Sequence, residues 1–210
     1  SPTLCYALLA QHAREHPTAW NRVRIVQLDE WFGLGVGDDG SCQSYLRQHV
    51  VGPLGVTEER FLSWDGLAGD GETECTRYSS LLDKWGGVGL AVLGLGVNGH
   101  IGFNEPAAAG TEMRGVHVAE LSSESRAHSM IASSDKRGLL CQGLTLGLKE
   151  LCVQPHTIVL LVTGASKTAA FGDALTLEAS ANRPSSVLLN CATKSDQRRV
   201  CICDDAAFAR

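Results

Sequence analysis

The chain has 210 residues, with 44% hydrophobic residues, 20% charged residues and a formal net charge of −5 at pH 7. This composition is typical of a globular domain with a sizeable core. The acidic balance argues against a nucleic-acid binder, which usually carries a basic face. No apolar run approaches the roughly 20 residues of a membrane span. The expected partners are therefore small molecules or further subunits.

Helical and extended patterns alternate along the first half of the chain. The spacing of apolar residues predicts helices over about Pro2–His16, Ser41–Val51 and residues 70–87, and strands over about Val23–Leu28 and residues 60–64. Gly52 and Pro53 close the second of these helices. The chain opens at the first turn of a helix with no strand before it, so either its N-terminus is compact or a segment upstream of it is missing.

The second half continues the same alternation. It predicts strands over Val88–Leu95, residues 114–121 and residues 156–164, a helix over Ser122–Ser133, a helix or a turn over residues 143–152, a helix over residues 165–177, and short strands over residues 185–191 and 198–205. The run of β-branched and aliphatic residues in residues 156–164 is typical of a strand buried on both faces.

Alternating strands and helices predict an α/β fold: a Rossmann-like, mostly parallel sheet with helices on both faces. We expect residues 1–210 to form a single domain. Ligands of such sheets bind beyond the carboxyl ends of the strands. Three predicted strand ends carry polar residues, namely Asp29-Glu30, the Asn98–Glu105 loop and the segment Thr163–Lys167.

Eight cysteines are spread along the chain, and none forms a C-x-x-C pair. This spacing is unlike a zinc ribbon or a thioredoxin-like motif. Several of the cysteines lie in apolar runs, where a free thiol behaves as a small hydrophobic group. We interpret all eight as reduced thiols, which indicates a cytoplasmic protein.

Asp29 and Glu30 directly follow an apolar strand. A solvated loop start or a turn explains such a pair in most proteins. The functional alternative is a general base at a strand end.

The segment "LGLGVNGHIGFNEP", Leu93–Pro106, gathers Asn98, His100, Asn104 and Glu105 in a glycine-rich loop after a strand. An imidazole and a carboxylate so close in sequence form an acid/base pair in which the carboxylate selects the tautomer of the ring. A single histidine is more often structural, but this density of glycine and polar residues favours a binding loop. One imidazole and one carboxylate are too few for a zinc site, so no metal is predicted.

Lys167 lies in "TGASKTAA", at the predicted start of a helix after a buried strand. A helix N-terminus attracts anions, and a lysine beside it supplies a point charge for phosphate. The alternative is a solvated surface lysine. The pattern G-x-x-x-x-G-K-[ST] is absent, so this segment is not a P-loop.

Together these motifs resemble the amino-sugar-6-phosphate deaminases, the glucosamine- and galactosamine-6-phosphate isomerases. "LGLGVNGHIGFNEP" resembles the signature G-x-G-x-[DN]-G-H-x-x-[FL]-N-E-P, "VQLDEW" the strand that ends in D-E-[YW], and "LLVTGASK" the late strand with its phosphate lysine. The segments "GSCQSYLRQHVVGPLG" and "LTLGLKEL" are closer to the galactosamine type.

The resemblance implies a cofactor-free and metal-free reaction in which an amino-hexose 6-phosphate opens, isomerises and loses ammonia. Asp29 is then the base between C2 and C1, His100 assists ring opening, and Glu105 orients His100. Contacts to the substrate or its phosphate are implied for Lys167, Ser1, Gly99 and Glu30. Asn98, counted with Asp29, His100 and Glu105 as a catalytic residue, stands where glucosamine-type members usually carry Asp, which indicates a changed substrate preference. The resemblance also implies that the first strand of the family's sheet is missing from the given chain.

Three alternatives remain at this point. A 6-phosphogluconolactonase shares the fold and the G-H pair but lacks the N-E-P ending. A non-catalytic sugar-phosphate sensor keeps the pocket without turnover, and Asn98 favours it. A purely structural protein accounts least well for polar residues concentrated at strand ends.

Overall fold

The computed structural model describes residues 3–106, 113–127, 140–180, 182–190 and 196–208. The strands in this part of the chain are β1 (Ile25–Val26), β2 (Asp29–Trp31), β3 (Phe61–Leu62), β4 (Leu90–Gly94), β5 (His117–Glu120), β6 (Gln142–Thr145), β7 (Thr157–Val162) and β8 (Arg198–Cys203). The α-helices are α1 (Thr3–Glu15), α2 (Cys42–Leu46), α3 (Gly71–Lys84), α4 (Ser123–Arg126), α5 (Leu148–Val153), α6 (Thr168–Thr176), α7 (Pro184–Asn190) and α8 (Asp205–Phe208).

The described strands form three small sheets. Strands β4, β7 and β8 are parallel, with β7 in the centre, and β1 pairs with β3 in parallel. Strands β2, β6 and β5 form an antiparallel sheet in that order. The α/β class and the parallel pairing of the core strands are confirmed. The antiparallel sheet was not expected, because short strands of mixed polarity carry no signal of their direction.

The predicted strand Val23–Leu28 is divided by a change of sheet. Its middle forms β1, and after Gln27 and Leu28 the chain enters the antiparallel sheet as β2. Asp29 therefore opens a strand rather than following one. Gln27, which is fully buried, stabilises the transition because its side chain bonds the backbone oxygen of Asp29 and the backbone nitrogen of Trp64.

Other boundaries also differ from the sequence-based expectations. The strand predicted over residues 185–191 is wrong, because this stretch forms α7, and Pro184 stands at its first turn, where proline is favoured. Residues 143–152 divide into β6 and α5. The predicted helix Ser122–Ser133 is shortened to α4, and its part from residue 128 onward lies outside the described residues.

The largest hydrophobic cluster fills the space between the β4–β7 pair and the helices. Ile158 and Leu160 of β7 are fully buried, and Trp64 stacks on Tyr78 with ring centroids 3.6 Å apart. This packing fixes β4 and β7 and therefore the loops that leave their carboxyl ends. Among the described residues, no helix has the length and apolar content needed to cross a membrane.

Candidate active site

The loop after β4 and the turn after β7 meet at one edge of the parallel sheet. Gly94 of β4 pairs with Leu161 of β7, so both strands end at the same level. His100 follows the first strand and Lys167 follows the second, and both line the same cleft. The sequence-based expectation that these two residues lie together at the strand ends agrees with this geometry.

Asp29 reaches the cleft from the antiparallel sheet. It pairs in β2 with Thr145 of β6, whose hydroxyl accepts a hydrogen bond from the backbone N–H of Phe103 at 3.3 Å. The side-chain amide of Asn104 donates to the backbone oxygens of Ile101 and Leu146, each at 2.8 Å. These bonds fasten the glycine-rich loop to β6 and thereby bring His100 to the same side as Asp29.

The cleft has a volume of about 460 Å³. This size lies in the range of pockets for small molecules. Its lining combines apolar side chains and glycines with a few groups able to transfer protons or carry charge, namely Asp29, Cys42, His100, Glu124, Ser125 and Lys167.

Asp29 is tuned towards proton transfer near neutral pH. Its removal from water raises the pKa of Asp29 to about 7, and the neighbouring Glu30 carboxylate contributes to the rise. His100 and a hydrogen bond from the Cys42 side chain act in the opposite direction on this pKa. A carboxylate with a pKa near the working pH is suited to take a proton and return it.

His100 is held by two oxygen-bearing side chains behind it. Its Nδ1 lies 3.3 Å from the Ser125 hydroxyl oxygen and 3.6 Å from Glu105 Oε2. The Ser125 hydroxyl donates its proton to Glu105 Oε1, so it faces His100 as an acceptor. With two acceptors around Nδ1, the neutral ring carries its proton there and leaves Nε2 free to accept one.

The Glu105 carboxylate is ionised in this arrangement. Burial acts to raise its pKa, but hydrogen bonds from His100, Ser125 and Asn98 outweigh burial and lower the pKa of Glu105 to about 2. The backbone N–H of Ser122 donates to the same carboxylate at 3.3 Å. A fixed negative charge behind His100 stabilises the imidazolium that forms when the ring takes a proton.

Asn98 connects this network to the loop backbone. Its Oδ1 accepts from the backbone N–H of His100 at 3.1 Å, and its Nδ2 donates to Glu105 at 3.0 Å and to Ser122 Oγ at 3.3 Å. Asn98 therefore positions the histidine and its carboxylate without lining the cleft itself.

Two glycines of the loop are required by its geometry. A Cβ on Gly96 would lie 2.4 Å from the His100 ring, so the imidazole occupies the space that any side chain would fill. Gly99 has φ +87°, a conformation that side-chain-bearing residues rarely adopt. Its carbonyl accepts from the backbone N–H of Ser185. Gly99 was expected to contact substrate, but it shapes the turn and does not line the cleft.

Glu30 differs from the expectation of a substrate contact. Its side chain is 1% exposed and does not line the cleft. Burial raises the pKa of Glu30, and hydrogen bonds oppose this rise. The carboxylate accepts five hydrogen bonds, from Gln27 Nε2, Trp31 N, Ser41 Oγ, Cys42 N and Gln43 N, at 2.8–3.1 Å. Glu30 therefore fastens the first turn of α2 to β2, next to Asp29.

Lys167 supplies the positive charge of the cleft. Burial lowers the pKa of Lys167 below its ordinary value. Within the described residues no carboxylate lies within 4.0 Å of its ammonium group. A partly buried cation with this surrounding is suited to bind an anionic group of a ligand.

Sequence reasoning missed some contributors and named one residue that the structure does not describe. Ser125 and Ser122 come from the start of α4, about 20 residues beyond Glu105, and Cys42 comes from α2. The Ser-x-x-Ser spacing of the α4 N-cap was visible in the sequence but carries no catalytic signal. Ser1, expected near the phosphate, lies outside the described residues.

Comparison with known proteins identifies the family. The family model described as glucosamine-6-phosphate isomerases/6-phosphogluconolactonase matches residues 1–197. The chain belongs to the glucosamine-6-phosphate isomerase/6-phosphogluconolactonase family. This confirms the resemblance that the three motifs indicated.

Relatives within this family lie on the deaminase side. The Escherichia coli K12 protein named "Putative deaminase AgaI" is 35% identical over 189 residues, which cover 90% of this chain and 72% of the relative. The glucosamine-6-phosphate deaminase of Geobacillus sp. WCH70 is 32% identical, with coverages of 87% and 72%.

Solved structures of the family agree with the fold. A monomeric glucosamine-6-phosphate deaminase superposes with a TM-score of 0.83 at 30% identity and covers 100% of this chain and 84% of its own. The 6-phosphogluconolactonase of Thermotoga maritima reaches a TM-score of 0.71 at 16% identity, with coverages of 97% and 80%. That likeness shows a shared fold alone.

Proposed function

We propose that this protein is an enzyme that converts an amino-hexose 6-phosphate and water into a ketohexose 6-phosphate and ammonia. The observation that carries the proposal is the meeting of Asp29, His100 and Lys167 in one cleft. A carboxylate base, an imidazole that exchanges a proton at Nε2 and an ammonium group with no carboxylate partner among the described residues are the groups that isomerisation of a phosphorylated sugar requires.

Ring opening is the first step. His100 takes the proton of the anomeric hydroxyl at Nε2 and passes it to the ring oxygen as the C1–O5 bond breaks, which yields the open-chain aldehyde. Glu105 and Ser125 hold the ring in the tautomer with its proton on Nδ1, so that Nε2 is the nitrogen that exchanges the proton.

Isomerisation follows at the adjacent carbons. Asp29 takes the proton from C2 while the C1 oxygen gains a proton given up by the substrate's ammonium group, which yields an enolamine. Asp29 then returns its proton to C1, which leaves a hydroxyl at C1 and an iminium group at C2. Water then adds at C2 and ammonia leaves, so the product is a ketose. The pKa of Asp29 of about 7 suits both directions of this proton transfer.

Lys167 binds the 6-phosphate in this proposal. It lines the cleft together with residues of β2 and of the loop after β4, and its charge is unpaired among the described side chains. Holding the phosphate fixes C1 and C2 relative to Asp29, and such orientation accounts for a large part of enzymatic rate enhancement.

Substrate preference and location are part of the proposal. Asn98 and the segments that resemble the galactosamine type favour galactosamine 6-phosphate over glucosamine 6-phosphate. A cytoplasmic location is favoured by the cysteines, because none of those described forms a disulfide, namely Cys5, Cys42, Cys75, Cys141, Cys152, Cys201 and Cys203.

The test is ammonia release from glucosamine 6-phosphate and galactosamine 6-phosphate, measured in parallel with hydrolysis of 6-phosphogluconolactone. We expect release from at least one amino sugar and no lactone hydrolysis above the uncatalysed rate. Lactone hydrolysis without ammonia release would contradict the proposal. Binding of both sugar phosphates without turnover, in a protein folded by circular dichroism, would replace it with a sensor.

A further inference from the structure

Cys42 brings a thiol to the base of the proposed reaction. It lies in the first turn of α2 and lines the same cleft as Asp29 and Trp31. Donation from this thiol is one of the two influences that lower the pKa of the Asp29 carboxylate. The reaction scheme above assigns no role to this thiol.

The position of Cys42 is fixed through Glu30. The Glu30 carboxylate accepts from the backbone N–H of Cys42 at 3.0 Å and from that of Gln43 at 2.8 Å. The Ser41 hydroxyl donates to the same carboxylate at 2.9 Å. Asp29 and Glu30 are adjacent in β2, so the first turn of α2 is attached to both, through its backbone to Glu30 and through the Cys42 thiol to Asp29.

Trp31 supplies a second and independent observation. Its side chain is 2% exposed, and within the described residues its indole N–H finds no hydrogen-bond partner that meets the usual geometry. The indole lines the same cleft as the sulfur of Cys42, a weak acceptor, and acts to lower the pKa of that thiol. The thiol therefore has a donor and a carboxylate as neighbours, and of these two only the carboxylate can accept its S–H proton.

The thiol remains protonated across the working range of pH. Burial raises the pKa of Cys42 well above its ordinary value, and the charges of Asp29 and Glu30 add to the rise. A thiol in this state is a hydrogen-bond donor and a poor nucleophile.

We propose that Cys42 is a positioning residue for proton transfer, because its S–H group holds the Asp29 carboxylate in one orientation towards the substrate carbons. This inference rests on the proposed function, in which Asp29 is the base. A thiol is a weaker donor than a hydroxyl, so it restrains the carboxylate and stabilises its ionised form only moderately.

A set of Cys42 variants tests this contact in a measurement that does not depend on enzymatic turnover. The midpoint of Asp29 ionisation is followed by carbon-13 NMR of the carboxyl groups, with the signal assigned by Asp29→Asn. Cys42→Ser keeps a stronger donor, whereas Cys42→Ala and Cys42→Val remove the donor. We expect the midpoint of Asp29 ionisation to be lowest in Cys42→Ser and higher in wild type. It should be highest in Cys42→Ala and Cys42→Val, about 0.5 to 1 pH unit above wild type.

The exposed thiol Cys141 serves as the matched control, and Cys141→Ala should leave the midpoint unchanged. Equal midpoints for wild type, Cys42→Ala and Cys42→Val would overturn the proposal. Val preserves most of the volume of the side chain, so it and Ser decide the result if the Ala variant fails to fold.

Kinetics separate this role from a purely structural one. With an amino-sugar phosphate as substrate, Cys42→Ala should lower kcat about 3- to 10-fold with KM within twofold, and Cys42→Ser should restore kcat. A loss of kcat without any change in the Asp29 midpoint would overturn the inference. A wild-type protein that releases no ammonia would contradict the proposed function, while the NMR order would still decide whether the thiol holds Asp29.

Discussion

Asn98 donates a hydrogen bond from its side-chain amide to the Glu105 carboxylate over 3.0 Å, at a point where an aspartate would place a second carboxylate against the first. The amide also accepts from the backbone N–H of His100, so one side chain joins the loop, the histidine and its carboxylate. The neutral Asn therefore suits a network whose negative charge is concentrated on Glu105.

Asn98→Asp should destabilise the protein in a pH-dependent way. Two carboxylates in contact cannot both ionise without cost, so the pKa of the new Asp rises above its unfolded value. The native state then binds more protons, and stability falls as pH rises through this window. We expect a loss of about 1 to 3 kcal/mol in the free energy of unfolding at pH 7, and a smaller loss at pH 5, from urea titrations.

Asn98→Ala is the matched control, because it removes the donor without adding a charge. Its loss of stability should be the same at pH 5 and pH 7. An Asp variant as stable as wild type at pH 7 would contradict the charge arrangement described for Glu105.

Asp29 should control the pH dependence of turnover. Because its pKa is raised to about 7 and the ionised form is the base, kcat/KM should fall as pH decreases below about 7. Asp29→Asn should abolish ammonia release and retain binding of the sugar phosphate, measured by calorimetry. Wild-type turnover in that variant would show that another group is the base.

The same group links activity to stability. Asp29 binds a proton in the native state up to about pH 7 and in the unfolded state only up to about pH 3.8, so the stability of wild type falls as pH rises between these values. Asp29→Asn should therefore be more stable than wild type at pH 8, by about 4 kcal/mol from a pKa difference of about three units, and equal to it near pH 4. Asp39→Asn, at an exposed position, should show no such trend.

Glu30→Gln should weaken the attachment between α2 and β2. The five donors around the carboxylate would face an amide that brings its own two hydrogens, which leaves buried groups unpaired. We expect a loss of about 2 to 4 kcal/mol in the free energy of unfolding at pH 7, together with reduced turnover. Glu120→Gln, on the exposed side of β5, should change stability by less than about 0.5 kcal/mol. Similar losses of stability in both variants would contradict the role of Glu30 in attaching α2 to β2.

Gly96→Ala should displace His100. The new methyl group would lie 2.4 Å from the imidazole, which has to move away from its place against Ser125 and Glu105. We expect kcat/KM to fall by about 100-fold, since displacements near 1 Å have effects of this size. Gly89→Ala introduces a methyl group into open space and should leave kcat/KM unchanged. If both variants kept full turnover, His100 would not need its present position.

Lys167→Ala should affect binding more than chemistry. Loss of the ammonium group should raise KM for the sugar phosphate about 10- to 100-fold, and kcat should change less. Inorganic phosphate should inhibit wild type competitively and the variant more weakly. Lys149→Ala, at an exposed position of α5, is the control, and an equal KM for the two variants would remove Lys167 from the phosphate site.

Much of the candidate site was predictable from local sequence. A run of aliphatic residues predicts β7, and a run of the same kind predicts β4. The expectation that β4 is buried on both faces is wrong for the described residues, because Leu90 and Val92 are exposed while Ala91 and Leu93 are buried. Parallel pairing then places His100 and Lys167 at one edge of the sheet. The spacing of Asn98, His100 and Glu105 within one loop brought these three together in the prediction, since a short loop leaves little freedom.

Packing between distant segments decided the rest. The sequence by itself determined the α/β class, the glycine-rich loop and the chemical groups available, because these depend on local periodicity and on residue type. Only the tertiary structure decided that Glu30 faces inward while Asp29 faces the cleft, since adjacent residues of a strand point to opposite sides and the register of β2 against β6 sets which side is which. The same holds for Cys42 and Ser125, which reach Asp29 and His100 across 13 and 25 positions of the chain through helices that are docked by hydrogen bonds formed only in the folded protein.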